Sequence, residues 1–220
     1  MDIKRLIEKN NITIKKEHID RLSAYVEILL RENKKYNLAS IKDLDVFLEK
    51  TLVDSLIIQR SKKIKIKGSL IDIGSGNGFP GIVLAICYPE LKVTLLDAEK
   101  KKVQFLEMVR DELDLDLEVL HLRAEDHIRQ KIGYFDLVCA KALVSKPDKW
   151  LRWTVPFAKR GGFIINYKTA KFLEELKLSS SQKFLKKYNT DIIEKIDYKV
   201  SDSERIIVIM KKKKARKTNK

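Results

Sequence analysis

LIDIGSGNGFPG, residues 70–81, is the stretch that decides how this chain is read. It opens as a buried strand ending at Asp72 and Ile73. It then passes into three glycines at alternate positions, Gly74, Gly76 and Gly78. Pro80 suits the first turn of a following helix, where a missing N–H costs nothing. Glycines at such a junction let a ligand lie almost against the backbone, where a Cβ would obstruct it. The helix N-terminus adds N–H donors and a partial positive charge. A strand, a glycine loop and a helix in succession therefore predict a nucleotide-like ligand.

Two ligand classes fit. Residues 76–81 also spell the G-x-G-x-x-G of dinucleotide sites, but in that motif the first glycine directly follows the strand. Here that residue is Gly74, and counting from it the third glycine position is Phe79. Asp72, just before the loop, suits a ligand with a cationic amino end better than a pyrophosphate. Both points favour S-adenosylmethionine over a dinucleotide without removing the latter. Asp97 closes the next strand, KVTLLD, where an acid can accept both ribose hydroxyls of an adenosine. It can equally cap the helix that follows. Arg123-Ala124-Glu125-Asp126 follows the third strand and would face the adenine, or supply a capping acid at a helix start.

Outward from this centre, strands alternate with helices. SLIDI, KVTLLD, LEVLHL, FDLVCA and GGFIINY read as strands. PGIVLAICY, EKKKVQFLEMVRDEL, AEDHIRQKI, KPDKWLRWTVPFA and the stretch from KFLEELK through FLKKY read as helices. This order predicts an α/β, Rossmann-like domain whose mostly parallel sheet is covered on both faces. IIEKIDYKV and ERIIVIMK follow one another closely, which predicts an antiparallel pair at one edge. Residues 1–60 are helical by the spacing of Leu22, Tyr25, Val26, Leu29 and Leu30, and of Phe47, Leu48, Leu52, Leu56 and Ile57. KKYNLASIKD joins the two sets, with Ser40 and Asp43 as candidate caps. The expected organisation is an N-terminal helical extension over 1–67, a core over 68–211 and a basic, disordered tail over 212–220.

The chain has 220 residues, 44% hydrophobic and 35% charged, which suits one sizeable globular domain. Net charge is +15. The last ten residues, KKKKARKTNK, hold seven Lys or Arg and no acid. Setting those aside leaves 39 basic side chains against 31 acidic ones. Such a balance suggests an anionic partner, RNA first, beside the plainer reading of a solvated lysine-rich surface. The tail would add affinity and salt dependence, not target choice. No stretch approaches the ~20 apolar residues of a membrane span. The charged MDIKRLIEKNN lacks the apolar core of a secretory signal, so a cytoplasmic location is expected. Cys87 and Cys139 sit in apolar runs and read as buried thiols. No His, Cys and carboxylate pattern suggests a metal. Trp150 and Trp153, at helical spacing, read first as packing residues and second as base-stacking ones.

Together these residues resemble the glucose-inhibited division protein B family, also called ribosomal RNA small subunit methyltransferase G. The resemblance runs from about residue 22 to 211. DIGSGNGFPG is its most specific stretch. YNLASI, Asp54-Ser55-Leu56, Phe105-Leu106, Arg123-Ala124-Glu125, Phe135-Asp136 and Lys168 are also similar. The resemblance implies a class I S-adenosylmethionine-dependent methyltransferase acting on N7 of a guanine in bacterial 16S ribosomal RNA. Its partner would be that RNA or the small ribosomal subunit, met by a monomer. Gly74 and Phe79 would line the cofactor site, with Asp72, Gly76 and Gly78 completing its loop. Asp97, beside Ala98, would meet the ribose, and Ala124 with Glu125 the adenine. Lys141, also placed at the cofactor, and Lys168 would anchor RNA phosphates without transferring protons. Lys141 stands where the family usually has Arg, Thr51 replaces a frequent His, Thr169 a frequent Gly, and Glu32 a frequent Trp. A methyltransferase for another RNA, a protein or a small molecule, an NAD-dependent oxidoreductase and a non-catalytic RNA-binding relative are the alternatives.

Overall fold

The computed structural model describes residues 2–141, 143, 146–177 and 179–214. The N-terminal part is helical: α1 (Ile3–Lys9), α2 (Lys16–Tyr36), α3 (Leu44–Leu48), a π-helical turn (Glu49–Val53), α4 (Asp54–Leu56) and a 3-10 turn (Ile57–Arg60). α2 is long because its apolar residues fall on one stripe. Leu22, Tyr25, Val26 and Leu29 are fully buried, whereas Leu30 lies at the margin of the stripe. α2 stops at Asn37, whose left-handed φ of +47° closes the last turn. Asp43 caps α3, its side chain accepting from the Val46 N–H at 2.9 Å.

The core alternates β1 (Ser69–Ile73), α5 (Gly81–Cys87), β2 (Lys92–Asp97), α6 (Lys100–Glu112), β3 (Leu117–His121), α7 (Ala124–Lys131), β4 (Phe135–Lys141), α8 (Pro147–Thr154) and β5 (Ala158–Lys168). It ends with α9 (Ala170–Leu176), α10 (Ser179–Lys187), β6 (Thr190–Val200) and β7 (Ser203–Lys212). The seven strands lie in the order β3-β2-β1-β4-β5-β7-β6. β1 to β5 pair in parallel, and β7 runs antiparallel to both β5 and β6. The expected α/β class and the antiparallel terminal pair are both present. The reversed strand is β7, seated between β5 and the edge strand β6.

Two boundaries differ from the sequence reading. KPDKWLRWTVPFA is not one helix: α8 ends at Thr154, and a 3-10 turn, Val155–Phe157, leads into β5. Pro156 has no N–H for the α ladder and disfavours helical backbone before it. The single helical stretch expected after β5 is two helices, α9 and α10, the second beginning at the serine run 179–181. Serine side chains compete for backbone groups and favour helix starts over interiors.

Successive strand residues point to opposite faces. Leu70 therefore joins a core built with α2, α5 and α6, while Ile71 and Ile73 join a second core under α8, α9 and α10. Cys87 and Cys139 are buried free thiols. No helix among the described residues is long and apolar enough to cross a membrane. Of the basic tail, residues 215–220 lie outside the described residues, and β7 continues through Lys212.

Candidate active site

The five parallel strands end at one edge of the sheet, and the glycine loop crosses it. Gly74 and Ser75 N–H donate to the Leu96 carbonyl at 2.8 and 3.1 Å, which ties the loop to the end of β2. The Ser75 hydroxyl donates to the Asp72 carbonyl and accepts from the Leu96 N–H. Asp97 reaches back from β2: one carboxylate oxygen accepts from Gly76 N–H at 2.8 Å and the other from Glu99 N–H at 2.9 Å. It therefore braces the loop and the entry to α6 together. A carboxylate offers about four lone-pair sites, so two bonds leave capacity for two hydroxyl donors.

A cavity of about 280 Å³ opens at this edge on the α8 side, near the lower end of small-molecule sites (~300–1,000 Å³). Gly74 forms its back wall, Asp97 and Ala98 one side, and Arg123, Ala124 and Glu125 another. Leu143 and Trp153 close it with apolar surface. Six of the residues singled out in the sequence thus meet in one place: Gly74, Asp97, Ala98, Arg123, Ala124 and Glu125. Leu143 and Trp153 were not foreseen there. Trp150 is fully buried and packs edge-on against Phe172 at 5.8 Å. Three residues on, Trp153 is only partly buried and faces the cavity. Helical spacing alone does not separate the two.

Asp72, Gly76, Gly78, Phe79 and Lys141 do not line this cavity. Asp72 is fully buried, and one oxygen accepts from the Gly81 N–H at 2.9 Å, at the first residue of α5. The Cys139 thiol also hydrogen-bonds the carboxylate, and burial still pushes the carboxyl up to about 7. Asp72 therefore holds α5 in place. Gly78 (φ +90°) is required by packing, since a Cβ there would lie 2.5 Å from Ile82 Cδ1. Pro80 precedes the helix, at its N-cap, and α5 begins at Gly81. Phe79 turns toward the N-terminal helices, its ring 5.3 Å from Tyr25 and 6.0 Å, edge-on, from Phe47. Asn77, between the glycines, is clamped from α2 and α6: the Tyr25 hydroxyl donates to its carbonyl, and Lys102 donates to its Oδ1 at 2.8 Å.

Lys141 has different partners from the phosphate that the sequence suggested. Its side chain is 9% exposed, and its ammonium lies 2.7 Å from Asp54 Oδ2. It also donates to the carbonyls of Lys50 at 2.7 Å and Thr51 at 3.2 Å. The ammonium is thus held by one ion pair and two backbone carbonyls. Burial draws its pKa down, and Asp54 opposes that shift. Asp54, itself fully buried, also lies 3.0 Å from Arg205 Nε and accepts from the Tyr198 hydroxyl at 2.5 Å. Lys141 thus locks the π-helical turn to the end of β4. Lys168 ends β5 partly buried, its ammonium 5.4 Å from the Phe172 ring centroid. Burial lowers its pKa, and Glu175 opposes that. Among the described residues no group of three His, Cys, Asp or Glu is placed to hold a metal.

Comparison with known proteins agrees with this architecture. The chain is similar to the Bacillus cereus O-methyltransferase in complex with SAH, with a TM-score of 0.60 at 18% identity over 87% of this chain and 91% of that one. It is also similar to M. jannaschii TYW2 in complex with AdoMet, with a TM-score of 0.56 at 17% identity over 78% and 77%. These likenesses establish the fold. Among curated relatives, ribosomal RNA small subunit methyltransferase G of Thermoanaerobacter sp. (strain X514) is 39% identical over 201 residues, 89% of this chain and 82% of that protein. That of Thermotoga sp. (strain RQ2) is 34% identical over 212 residues, 96% and 90%. The family model for rRNA small subunit methyltransferase G matches residues 18–206. With the glycine loop, most of α2 and all of α3 and α4 inside that match, the chain belongs to the rRNA small subunit methyltransferase G family.

Proposed function

We propose that this protein transfers the methyl group of S-adenosylmethionine to N7 of a guanine in 16S ribosomal RNA. The observation that carries the reading is the convergence of Gly74, Asp97, Ala98, Ala124 and Glu125 on one cavity at the carboxyl edge of the sheet. When bound, the cofactor supplies an electrophilic methyl on a sulfonium. Asp97 would accept from the ribose hydroxyls while its bond to Gly76 N–H keeps the loop braced. Ala124 and Glu125 would border the adenine, and Leu143 with Trp153, which line the same cavity, would exclude water from it.

Guanine N7 carries a lone pair and no proton in the neutral base. The cofactor would supply the methyl as an electrophile to that lone pair and would itself retain the bonding pair, so no residue of this chain need act as a general base. The site accordingly contributes alignment and exclusion of water, effects worth ~7–11 kcal/mol at best. Asp72, Gly76, Gly78, Phe79 and Lys141 act at one remove, by holding the loop, α5 and the π-helical turn in register. Lys168, at the end of β5, would steer an RNA phosphate.

The test is incorporation of labelled methyl into small ribosomal subunits and into naked 16S ribosomal RNA, followed by mapping of the modified base. Transfer to either, at guanine N7, is the expected result. Cofactor binding without transfer to any RNA would remove the RNA reading. Transfer to a protein or small molecule that RNA does not inhibit would replace it.

A further inference from the structure

A second groove, of about 650 Å³, lies on the same face and edge of the sheet as the cofactor cavity. Its walls are the N-terminal ends of α8 and α10 and the flank of α9. Lys146, Lys149, Arg152 and Lys171 line it, and all four are exposed. None of them forms an ion pair among the described residues, unlike Lys141. Two acids share the groove. Asp148 is already engaged, accepting from the Ser181 hydroxyl at 2.5 Å and held below the usual carboxylate range by Ser181 and Ser180. The other, Glu175, faces Lys168 electrostatically. Four cations with no ion pair among the described residues therefore stand around a concave surface, Arg152 also facing Asp148 electrostatically. The groove also connects with the cofactor cavity: Lys149 lines it, and the Lys149 ammonium sits 4.4 Å over the ring of Trp153, which lines the cavity.

We propose that this groove is the track for a single-stranded RNA backbone, delivering the target base across Trp153 into the cofactor cavity. The inference rests on the RNA reading above and adds the surface and the strandedness of the substrate. Guanine N7 faces the major groove, which in A-form RNA is too deep and narrow for side chains to read, so its chemistry requires an unpaired, unstacked nucleotide. A cationic groove beside an aromatic ring is how proteins hold single strands: the cations follow phosphates and the ring takes a base. Lys149 serves both parts, since it lines the groove and lies over the ring.

The test is a triple variant, Lys146→Gln, Lys149→Gln and Lys171→Gln, in the full chain. Its control carries Lys62→Gln, Lys65→Gln and Lys67→Gln, three exposed lysines that precede β1 at the opposite edge of the sheet. Two readouts are taken. One is binding of a single-stranded oligoribonucleotide and of an RNA duplex across a salt series. The other is methyl transfer to 16S ribosomal RNA. Each single-strand phosphate contact contributes a salt slope of about −0.7, so the groove variant is expected to lose about 2 from that slope. Its KM for RNA should rise roughly tenfold or more, while S-adenosylmethionine affinity and kcat at saturating RNA stay near wild type. The control should keep both slope and KM. Unchanged slope and KM in the groove variant would overturn the proposal, as would an equal loss in the control or equal binding of duplex. A normal loss of slope in a protein that methylates no RNA would leave the groove standing and sink the methylation reading instead.

Discussion

Lys141 and Lys149 lie eight residues apart near the same edge of the sheet, and the structure uses them in opposite ways. Lys141 points to the side of the N-terminal helices, where Asp54, Arg205 and Tyr198 surround it and solvent is excluded. Lys149 points to the other side, exposed, with an aromatic ring beneath its charge and no acid paired to it. Lys141 ends β4 and Lys149 follows it in α8, and by sequence either fits the idea of a phosphate anchor. What separates them is burial. A charge taken out of water needs partners built into the fold, while a charge left in water stays available for a ligand. The comparison extends to the two sides of the glycine loop. One side, through Asn77, Phe79 and Asp72, is packed and tied down. The other, through Gly74 and Asp97, opens on the cavity.

The largest expected effect breaks the comparison at Lys141. Lys141→Ala leaves Asp54 buried beside Arg205 alone among its cations, and loss of one partner of a buried pair costs about 3–5 kcal/mol. Urea unfolding should show a loss of that order, against a change within about 0.5 kcal/mol for Lys149→Ala at the surface. Equal, small losses would mean that Lys141 is as free as Lys149 in solution.

Asp72 sharpens the same contrast by pH. Its carboxyl titrates at about 7 in the fold because burial disfavours the charge. The folded chain therefore holds this proton more tightly than the unfolded one. The contribution favours folding below pH ~4 and is lost as pH rises through about 7. Asp72→Asn keeps an acceptor for the Gly81 N–H and has no charge to bury. Its stability relative to wild type should rise between pH 4.5 and 8, by up to about 4 kcal/mol for a shift of roughly three pKa units. Parallel stability curves across that range would show that Asp72 ionises without penalty.

The smallest effect tests the open side. Trp150 is sealed in the core and Trp153 faces the cavity, so added S-adenosylmethionine should change the fluorescence of Trp153 alone. Trp153→Phe should abolish the change and weaken binding by about 1 kcal/mol, the scale of one aromatic contact. Trp150→Phe should retain it. A signal that survives Trp153→Phe would place the cofactor elsewhere.

Much of this was legible in the amino-acid order. Period-2 and period-3.6 patterns located the strands and most helices, because burial on one or two faces imposes those spacings. The turn into α5, Asp97 and the Ala124–Glu125 segment were visible because each lies at the end of a strand in a parallel sheet, and such strand ends share one edge. The split of the helices at Pro156 and at the serine run was readable locally but was outweighed by continuous apolar spacing. Less legible were the reasons for the glycines. Gly74 and Gly78 look alike in sequence, yet Gly74 borders the cavity while Gly78 makes room for Ile82.

The sequence by itself determined the alternation of strands and helices, the glycine turn and the edge where a ligand would sit, since these depend on neighbours a few residues away. Only the tertiary structure decided which side chains at that edge are available. It placed Asp54, Arg205 and Tyr198 around Lys141, put Tyr25 and Lys102 on Asn77, and left Lys146, Lys149, Arg152 and Lys171 in water. The role of a charge depends on what the fold brings around it, and those neighbours come from distant parts of the chain.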